Sequence, residues 1–497
     1  MTKINVKKSI VLLACCLGFS AIHAQYSQEA KIVSDTREGR AEFGTSVAIT
    51  ENFAVVGASR ENGASGAAYV YVKDNQGKWG FAQQLVATDP NNGAEYGGGV
   101  KFSEDYLVVA AGRADYDGLQ RTGALYIYDY LNNNWEFDAK LIASDYSSDA
   151  KLGMNPTSLD VQANTIVAGA PGDDSWTGAV YVFTKVAGVW EETQKLMSPL
   201  PVAFDAFGIG VSISGNYLAI GANAVDGRKG AVYIYIKTSN GVWEYDQTIM
   251  ASDGVDDDFF GSSVSLAGEQ MVVGAYGVEQ EKGTAYVFEK NSDDVWVEVQ
   301  KLKGNPFNDR VQYGWTTAIQ KDYIAVTAPH IYGSEAGEVY LYKRENSGVW
   351  VEDQIIQGAD TQSEDAFGWS VGMYKDKIII GSPTEDHDET GANEIGDAGS
   401  SYIFKNPSLL ALTDFDAHNN VISMFPNPTE TILNIESQAI ALDYIRVYAI
   451  TGALLNESRT INNSKLLLDT SNYNKGIYFI EVTLENGLKV TQKIIKN

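Results

Sequence analysis

Carboxylates are the residues best placed to do chemistry in this 497-residue chain, because they gather in short stretches. Asp115-Tyr116-Asp117-Gly118 is one such stretch, Asp253 with Asp256, Asp257 and Asp258 is a second, and Asp386 with Asp388 and Glu389 is a third. A hard cation such as Ca2+ takes about six to eight oxygen ligands from carboxylates and carbonyls. Asp115, Asp117, Asp253, Asp256, Asp258, Asp386 and Asp388 are therefore candidate calcium ligands, and calcium is the only cofactor the residues suggest. The alternative is local, since a loop Asp also caps its own turn by accepting backbone N–H groups.

Aromatic residues offer a second chemistry. Trp79, Trp135, Trp190, Trp243, Trp296 and Trp350 recur at regular spacing and read as packing, whereas Trp176, Trp315 and Trp369 do not recur. Trp315 and Trp369 each follow an aromatic-Gly step directly. Rings in such places can stack on sugars while nearby carboxylates accept hydroxyl hydrogen bonds. Trp176, Trp315 and Trp369 are thus candidate ligand contacts, and the competing reading is that Trp315 and Trp369 plug a central channel. "GWSVG", Gly368–Gly372, matches the Gly-x-Ser-x-Gly elbow of hydrolases, but that motif needs a strand-turn-helix setting. Ser370 instead aligns with Ser46, Gly99, Asn155, Gly210, Ser263 and Thr316 within a repeated strand. Past residue 24 only His330, His387 and His418 could serve a serine as base, and no catalytic residue is assigned.

The elements that must position these groups come from a repeat. An aromatic-Gly step occurs at Phe43, Tyr96, Phe207, Phe260, Tyr313 and Phe367, with Leu152-Gly153 in the third slot, at successive spacings of 53, 56, 55, 53, 53 and 54. Each is followed by an apolar Gly-Ala or Gly-Ala-Pro run ("VVGAS", "IVAGAP", "IIIGSP") and then by Gly-x-x-Tyr-x-Tyr/Phe ("GAAYVY", "GAVYVF", "GSSYIF"). A period of this size signals a solenoid or propeller. Each unit reads as four short β-strands: A (Phe43–Ile49), B (Phe53–Ala58), C (Ala67–Lys73) and D (Trp79–Thr88) in the first. Such sheets bury both faces only against neighbouring copies, so the fold class is all-β, a seven-bladed propeller. The seventh unit lacks a strand D, and an orphan copy of it, "QYSQEAKIVSD" (Gln25–Asp35), precedes the first unit. The N-terminal strand is therefore expected to close the last blade. With A innermost, the D-to-A and B-to-C loops share one face, which should be acidic.

The ends set the compartment. Residues 1–24 carry Lys3, Lys7 and Lys8, then an apolar run and Ala24, the pattern of an export signal, and Cys15 and Cys16 both fall inside it. The formal charge of -27 repels nucleic acid and anionic membrane surfaces. No later stretch approaches the roughly 18 apolar residues of a membrane-spanning helix. The propeller is expected to span 25–406, followed by a linker, 407–421, and a small β-sandwich, 422–497.

The Phe-Gly and Gly-Ala-Pro steps resemble the FG-GAP repeat family, propellers found in integrin α-subunits and secreted bacterial proteins. The resemblance implies the propeller fold and calcium loops of Asp-x-Asp-x-Asp-Gly type, to which only Asp115–Gly118 comes near. The C-terminal segment resembles the sorting domain of type IX secretion cargo of Bacteroidetes through Pro426, Asn427, Pro428, Gly452, Gly476, Tyr478 and the Lys-rich end with Lys493. That implies contact with the type IX machinery and a secreted or outer-membrane surface-attached protein. The function expected is a binding module for adhesion or for recognition of a glycan or surface protein. A glycan hydrolase or lyase using carboxylates at the mouth, and a non-binding structural spacer, are the alternatives.

Overall fold

The computed structural model describes residues 25–103, 105–304, 310–331, 335–406, 422–437, 441–449, 454–484 and 489–496. The export signal with Cys15 and Cys16, the linker 407–421, His418 and Gly452 lie outside the described residues.

Seven four-stranded antiparallel sheets carry the repeat, each in the order A-B-C-D. Blade one runs Phe43–Ile49, Phe53–Ala58, Ala67–Lys73 and Trp79–Leu85. Its strands alternate side chains between two buried faces, so A, B and C are apolar and β-branched almost throughout, the pattern of strands covered on both sides. Strand D ends at Leu85, not at Thr88. The reason is a change of partner: Ala68 pairs with Leu85, and Gly66, just ahead of strand C, already bridges to Tyr96 of the next blade. Strand D is left without a neighbour beyond that point. A bulge recurs in the C–D ladder of every blade, at Val70/Tyr71 in the first and at Leu341/Tyr342 in the sixth, and adds local twist. The last blade takes its outer strand from Ser27–Ile32, which pairs with Ser400–Lys405 and carries the same bulge at Gln28/Ala30.

Adjacent blades meet backbone to backbone. A Cβ added to Gly57, Gly169, Gly221, Gly274 or Gly381 in strand B would lie 1.9–2.0 Å from a carbonyl oxygen of the next blade's aromatic-Gly step. Parallel bridges join Gly66 to Tyr96, Gly123 to Leu152, Gly178 to Phe207, Gly230 to Phe260, Gly283 to Tyr313 and, closing the ring, Gly399 to Phe43. Farther out, a strand D glutamine clasps the peptide unit of the next blade's outer strand. Gln247 donates to the Trp296 carbonyl and accepts its N–H, both at 3.0 Å. Gln83 treats Trp135 in the same way, Gln194 Trp243, and Gln300 Trp350. Gln354 does so to Tyr26 at 2.8 and 2.9 Å, which puts the N-terminal strand in the place of a strand D.

The inner strands line a central cavity of about 920 Å³ that reaches the A–B turns, with Thr50, Asp160, Ser265, Thr317 and Gly372 in its wall. Ser and Thr side chains there bond to the neighbouring blade: Ser212 Oγ accepts the Leu266 N–H, Ser263 Oγ the Thr317 N–H, and Ser265 Oγ the Ile319 N–H. Ser370 belongs to this set. It is buried and donates to the Gly44 carbonyl at 2.8 Å, so the elbow-like "GWSVG" holds a blade junction.

The C-terminal unit packs a three-stranded sheet (Ile422–Phe425, Ile432–Ser437, Lys465–Asp469) with a four-stranded one (Leu454–Asn463, Leu442–Ala449, Gly476–Leu484, Lys489–Lys496) around Leu433, Ile445, Val447, Ile480 and Ile494. Asn427, between Pro426 and Pro428, accepts the Ile495 N–H and donates to the Lys493 carbonyl, tying the first strand to the last. The Lys493 side chain is exposed. Tyr478 donates to the Asn474 carbonyl and stacks on Tyr473, two residues after Gly476.

Gly221→Ala should destabilise the propeller by about 1–3 kcal/mol, because the new methyl meets a fixed carbonyl. Gly80→Ala, with open space around its Cβ, should change the denaturant midpoint little. Equal midpoints for the two variants would show that the blade junction is not tight.

Candidate functional site

The residue before each aromatic-Gly step is held in the left-handed region in all seven blades. Glu42, Glu95, Lys151, Ala206, Phe259, Gln312 and Ala366 have φ of 51–59°. A left-handed turn also occupies the B–C loop, as in Asn62-Gly63-Ala64, Asp174-Ser175-Trp176, Asp226-Gly227-Arg228 and Glu279-Gln280-Glu281. The two features are joined across blades. The last residue of each turn accepts the backbone N–H of the next blade's ring residue: Ala64 from Glu95, Trp176 from Ala206, Arg228 from Phe259 and Glu281 from Gln312. Such backbone costs of order 1–3 kcal/mol per non-glycine residue. It recurs whatever the side chain, so the architecture requires it and the side chains there are free to vary. They form a mouth with two unlike halves.

Blades one to three supply charge. Arg60 reaches Glu42 at 3.1 Å and Glu95 at 3.9 Å, and Arg113 reaches Glu95 at 3.2 Å. Lys151 follows, its ammonium 4.3 Å from the centre of the Trp176 ring. Burial, opposed by Arg60, raises the Glu42 carboxyl above its ordinary range. Blades five to seven supply aromatic surface. Phe259 stacks on Tyr276 at 5.0 Å and 7°, Tyr276 meets Trp315 at 5.1 Å, and Trp315 meets Trp369 at 5.2 Å. All four rings are half-buried, and exposed Arg228 lies over the Phe259 ring. The run thus holds two of the three tryptophans singled out by sequence, and Trp176 stands in the charged half.

The acidic loops are less free than their composition suggests. In four blades a D–A loop Asp is gripped by a strand D lysine and a strand C tyrosine: Asp89 by Lys140 and Tyr126, Asp145 by Lys195 and Tyr181, Asp253 by Lys301 and Tyr286, and Asp360 by Lys31 and Tyr402. Burial works against the charge of Asp253, and the bonds from Lys301 and Tyr286 outweigh it, holding its carboxyl below the ordinary range. Asp115 accepts the Arg121 N–H at 2.8 Å, and Asp117 accepts the Tyr146 hydroxyl at 3.0 Å. Asp256 lies 3.8 Å from Lys229. Asp258 is buried and accepts the Val255 N–H at 2.8 Å. Asp386 accepts the Asp397 N–H at 2.7 Å. Asp388 accepts the Thr390 hydroxyl, the Thr390 and Ala392 N–H groups and the Asn393 amide, which hold its carboxyl far below the ordinary range. Among the described residues no three His, Cys, Asp or Glu side chains converge as a metal-ligand set. The candidate carboxylates are thus engaged, in this structure, by lysines, tyrosines and their own turns.

Sequence reading did not pick out Phe259, Tyr276, Lys151 or Arg113. The lysine grip had a partial signal, a Lys before Leu or Ile near the end of strand D in "AKLIASD" and "EAKIVSD", but the Asp each holds, Asp89 for Lys140 and Asp360 for Lys31, lies in the loop entering that blade. The aromatic run had a signal only in Trp315 and Trp369, because Phe259 and Tyr276 come from two other loop positions, both in blade five.

The FG-GAP repeat pattern matches residues 26–71, 79–128, 135–183, 190–235, 243–288 and 350–404, more than half of the chain. The chain belongs to the FG-GAP repeat family. Residues 423–497 match the secretion system C-terminal sorting domain, so this FG-GAP protein is cargo of type IX secretion, delivered to the cell surface or beyond it. Among the described residues no helix is long and apolar enough to cross a membrane. No curated protein is detectably similar. Among solved structures, a crystal structure of a protein from Lactobacillus plantarum is 11% identical, with a TM-score of 0.42 over 84% of this chain and 99% of that one, too distant to add to the argument. The blade without an FG-GAP match is the sixth. There strand B carries Thr327 where five blades have Gly, and its hydroxyl accepts the Thr316 N–H at 3.0 Å. The sheet forms nonetheless. This blade also contributes Trp315 to the mouth.

Asp365, in the loop entering blade seven, has its carboxyl pushed up by burial from 3.8 to about 7, with Glu385 and Asp386 adding to the rise. Its folded pKa lies above its unfolded one, so its contribution is full below about pH 4 and is lost as pH rises to about 7. Asp365→Asn keeps an oxygen for the Gln362 N–H that Asp365 accepts at 2.6 Å. Its Tm profile should lack the wild-type decline across that window, and parallel profiles would remove Asp365 as the cause.

Proposed function

We propose that this FG-GAP protein is a recognition module, and that its ligand surface is the mouth built by the D–A and B–C loops, with saccharide as the ligand class. The run Phe259-Tyr276-Trp315-Trp369 carries this reading. Other large aromatics of the propeller, such as Phe43, Tyr96, Phe207 and Tyr313, are wholly buried between blades. These four adjoin one another across three blades, the first two stacked and the others tilted, and stay half-exposed, which suits flat, partly apolar sugar faces. The rings do not line the central cavity, so the mouth and the cavity are separate candidate surfaces. Ser370 is committed to a blade junction, which favours binding over hydrolysis by that residue.

The test is a glycan array probed with the full chain and with a Trp315→Ala/Trp369→Ala variant. Removing two anchoring rings should weaken binding at least tenfold, in the range of interface hot spots of about 2 kcal/mol or more. Undiminished binding by the double variant would move the ligand surface away from the mouth. Separately, a chain lacking residues 422–497 should accumulate inside the outer membrane. Its normal appearance outside the cell would show that the sorting domain is dispensable.

A further inference from the structure

Lys151 is out of keeping with the other lysines of this face. Lys31, Lys140, Lys195 and Lys301 each hold a carboxylate at 2.6–2.7 Å. Lys151 is also largely buried, 9% exposed, yet among the described residues its ammonium makes neither an ion pair nor a hydrogen bond. Its ammonium lies over the Trp176 ring, with Asp149 and Glu95 acting on it only at longer range. Burying an ammonium without a direct partner is costly, and a ring face with the more distant charges of Asp149 and Glu95 offsets only part of that cost. Arg113 stands beside it with a buried Nε that has no hydrogen-bond partner, its terminal nitrogen being engaged by Glu95. Two cations with unused donors thus converge at the rim between blades two and three, on a protein whose net charge is -27.

We propose that this part of the mouth is a subsite for an oxyanion, the carboxylate or sulfate of an acidic sugar unit. Lys151 supplies point-charge donors, Arg113 the positive charge of its guanidinium beside them, and Trp176 an apolar flank for the ring that bears the anion. The inference rests on the reading of the mouth as a saccharide surface, and it names the class: an acidic polysaccharide whose rings lie on the aromatic run and whose charge is read at Lys151. A saccharide is favoured over an acidic peptide because the same mouth carries four adjoining aromatic rings. Burial and the Arg113 charge both push the Lys151 ammonium below its ordinary range, which an incoming anion would reverse. Because the whole molecule repels polyanions, their binding here requires a local site.

The test measures binding of the full chain to polygalacturonate, dextran sulfate and neutral dextran by affinity electrophoresis, at low and high salt. Lys151→Met, Arg113→Gln and, as a control on the opposite face, Lys78→Met are compared, with melting curves to confirm folding and Lys151→Arg as rescue. One or both acidic polymers should bind more tightly than dextran, less so at high salt. Lys151→Met should lower that affinity roughly tenfold or more, the worth of a hydrogen bond to a charged group. Lys151→Arg should recover most of it and Lys78→Met should change nothing. The preferred polymer tells carboxylate from sulfate. Acidic-polymer binding that survives both Lys151→Met and Arg113→Gln overturns the subsite, as does poly-glutamate binding through Lys151 when neither acidic polysaccharide binds. Neutral-glycan binding that depends on Trp315 and Trp369, with no acidic binding, sinks the subsite alone. Binding of every polymer indifferent to Trp315 and Trp369 sinks the reading of the mouth itself.

Discussion

Backbone touches backbone where one blade meets the next, and the rest of the molecule follows from that contact. A strand B glycine faces the carbonyl of the next aromatic-Gly step with no room for a methyl group. The aromatic side chain of that step then fills the space between the sheets, as Phe43 does beside Tyr69 and Tyr71. Close approach also lets the loop before strand C bridge to the neighbour, which fixes the left-handed residues and so the loops of the mouth. Because these contacts are made by main chain, the ring positions tolerate Glu, Lys, Ala, Phe and Gln alike.

Much of this architecture was legible because packing imposes a repeat on the sequence. The strands of blade one begin where their residue types say, and the closing role of Ser27–Ile32 follows from a missing and an orphan copy of one strand. The end of strand D was overread, since nothing in "LVAT" announces that strand C has run out of backbone to offer. The loops were legible only in part. Trp315 and Trp369 stood out because they break the repeat, whereas Tyr276 and Phe259 look like ordinary members of apolar runs until the ring brings four blade positions together. The partners of the aspartates were not legible for a physical reason: a carboxylate's availability depends on what faces it, and the facing lysine lies on a different strand.

The electrostatics of the mouth face are therefore a pattern of neutralised sites on an acidic molecule. Each Lys-Asp-Tyr grip spends one negative charge on tying strands C and D of a blade to the loop that enters that blade, partly exposed and so of modest energetic weight. The tyrosine hydroxyls gain partners they need when buried, and the lysine stems cover their rings, as Lys140 does over Tyr126 and Lys195 over Tyr181. Against that background, one deep lysine without an acid is a local exception.

The closure of the ring by the N-terminal strand also fixes a polarity. Strand C of blade seven, Ser400–Lys405, starts at the B–C loop on the mouth side and runs to the opposite face, where its last residue pairs with Ser27. Both ends of the propeller chain are thus brought to its outer edge, and the polypeptide leads onward from the side remote from the mouth. The described propeller chain therefore ends, at Asn406 bonded to Asp376, on the face away from the aromatic and charged loops.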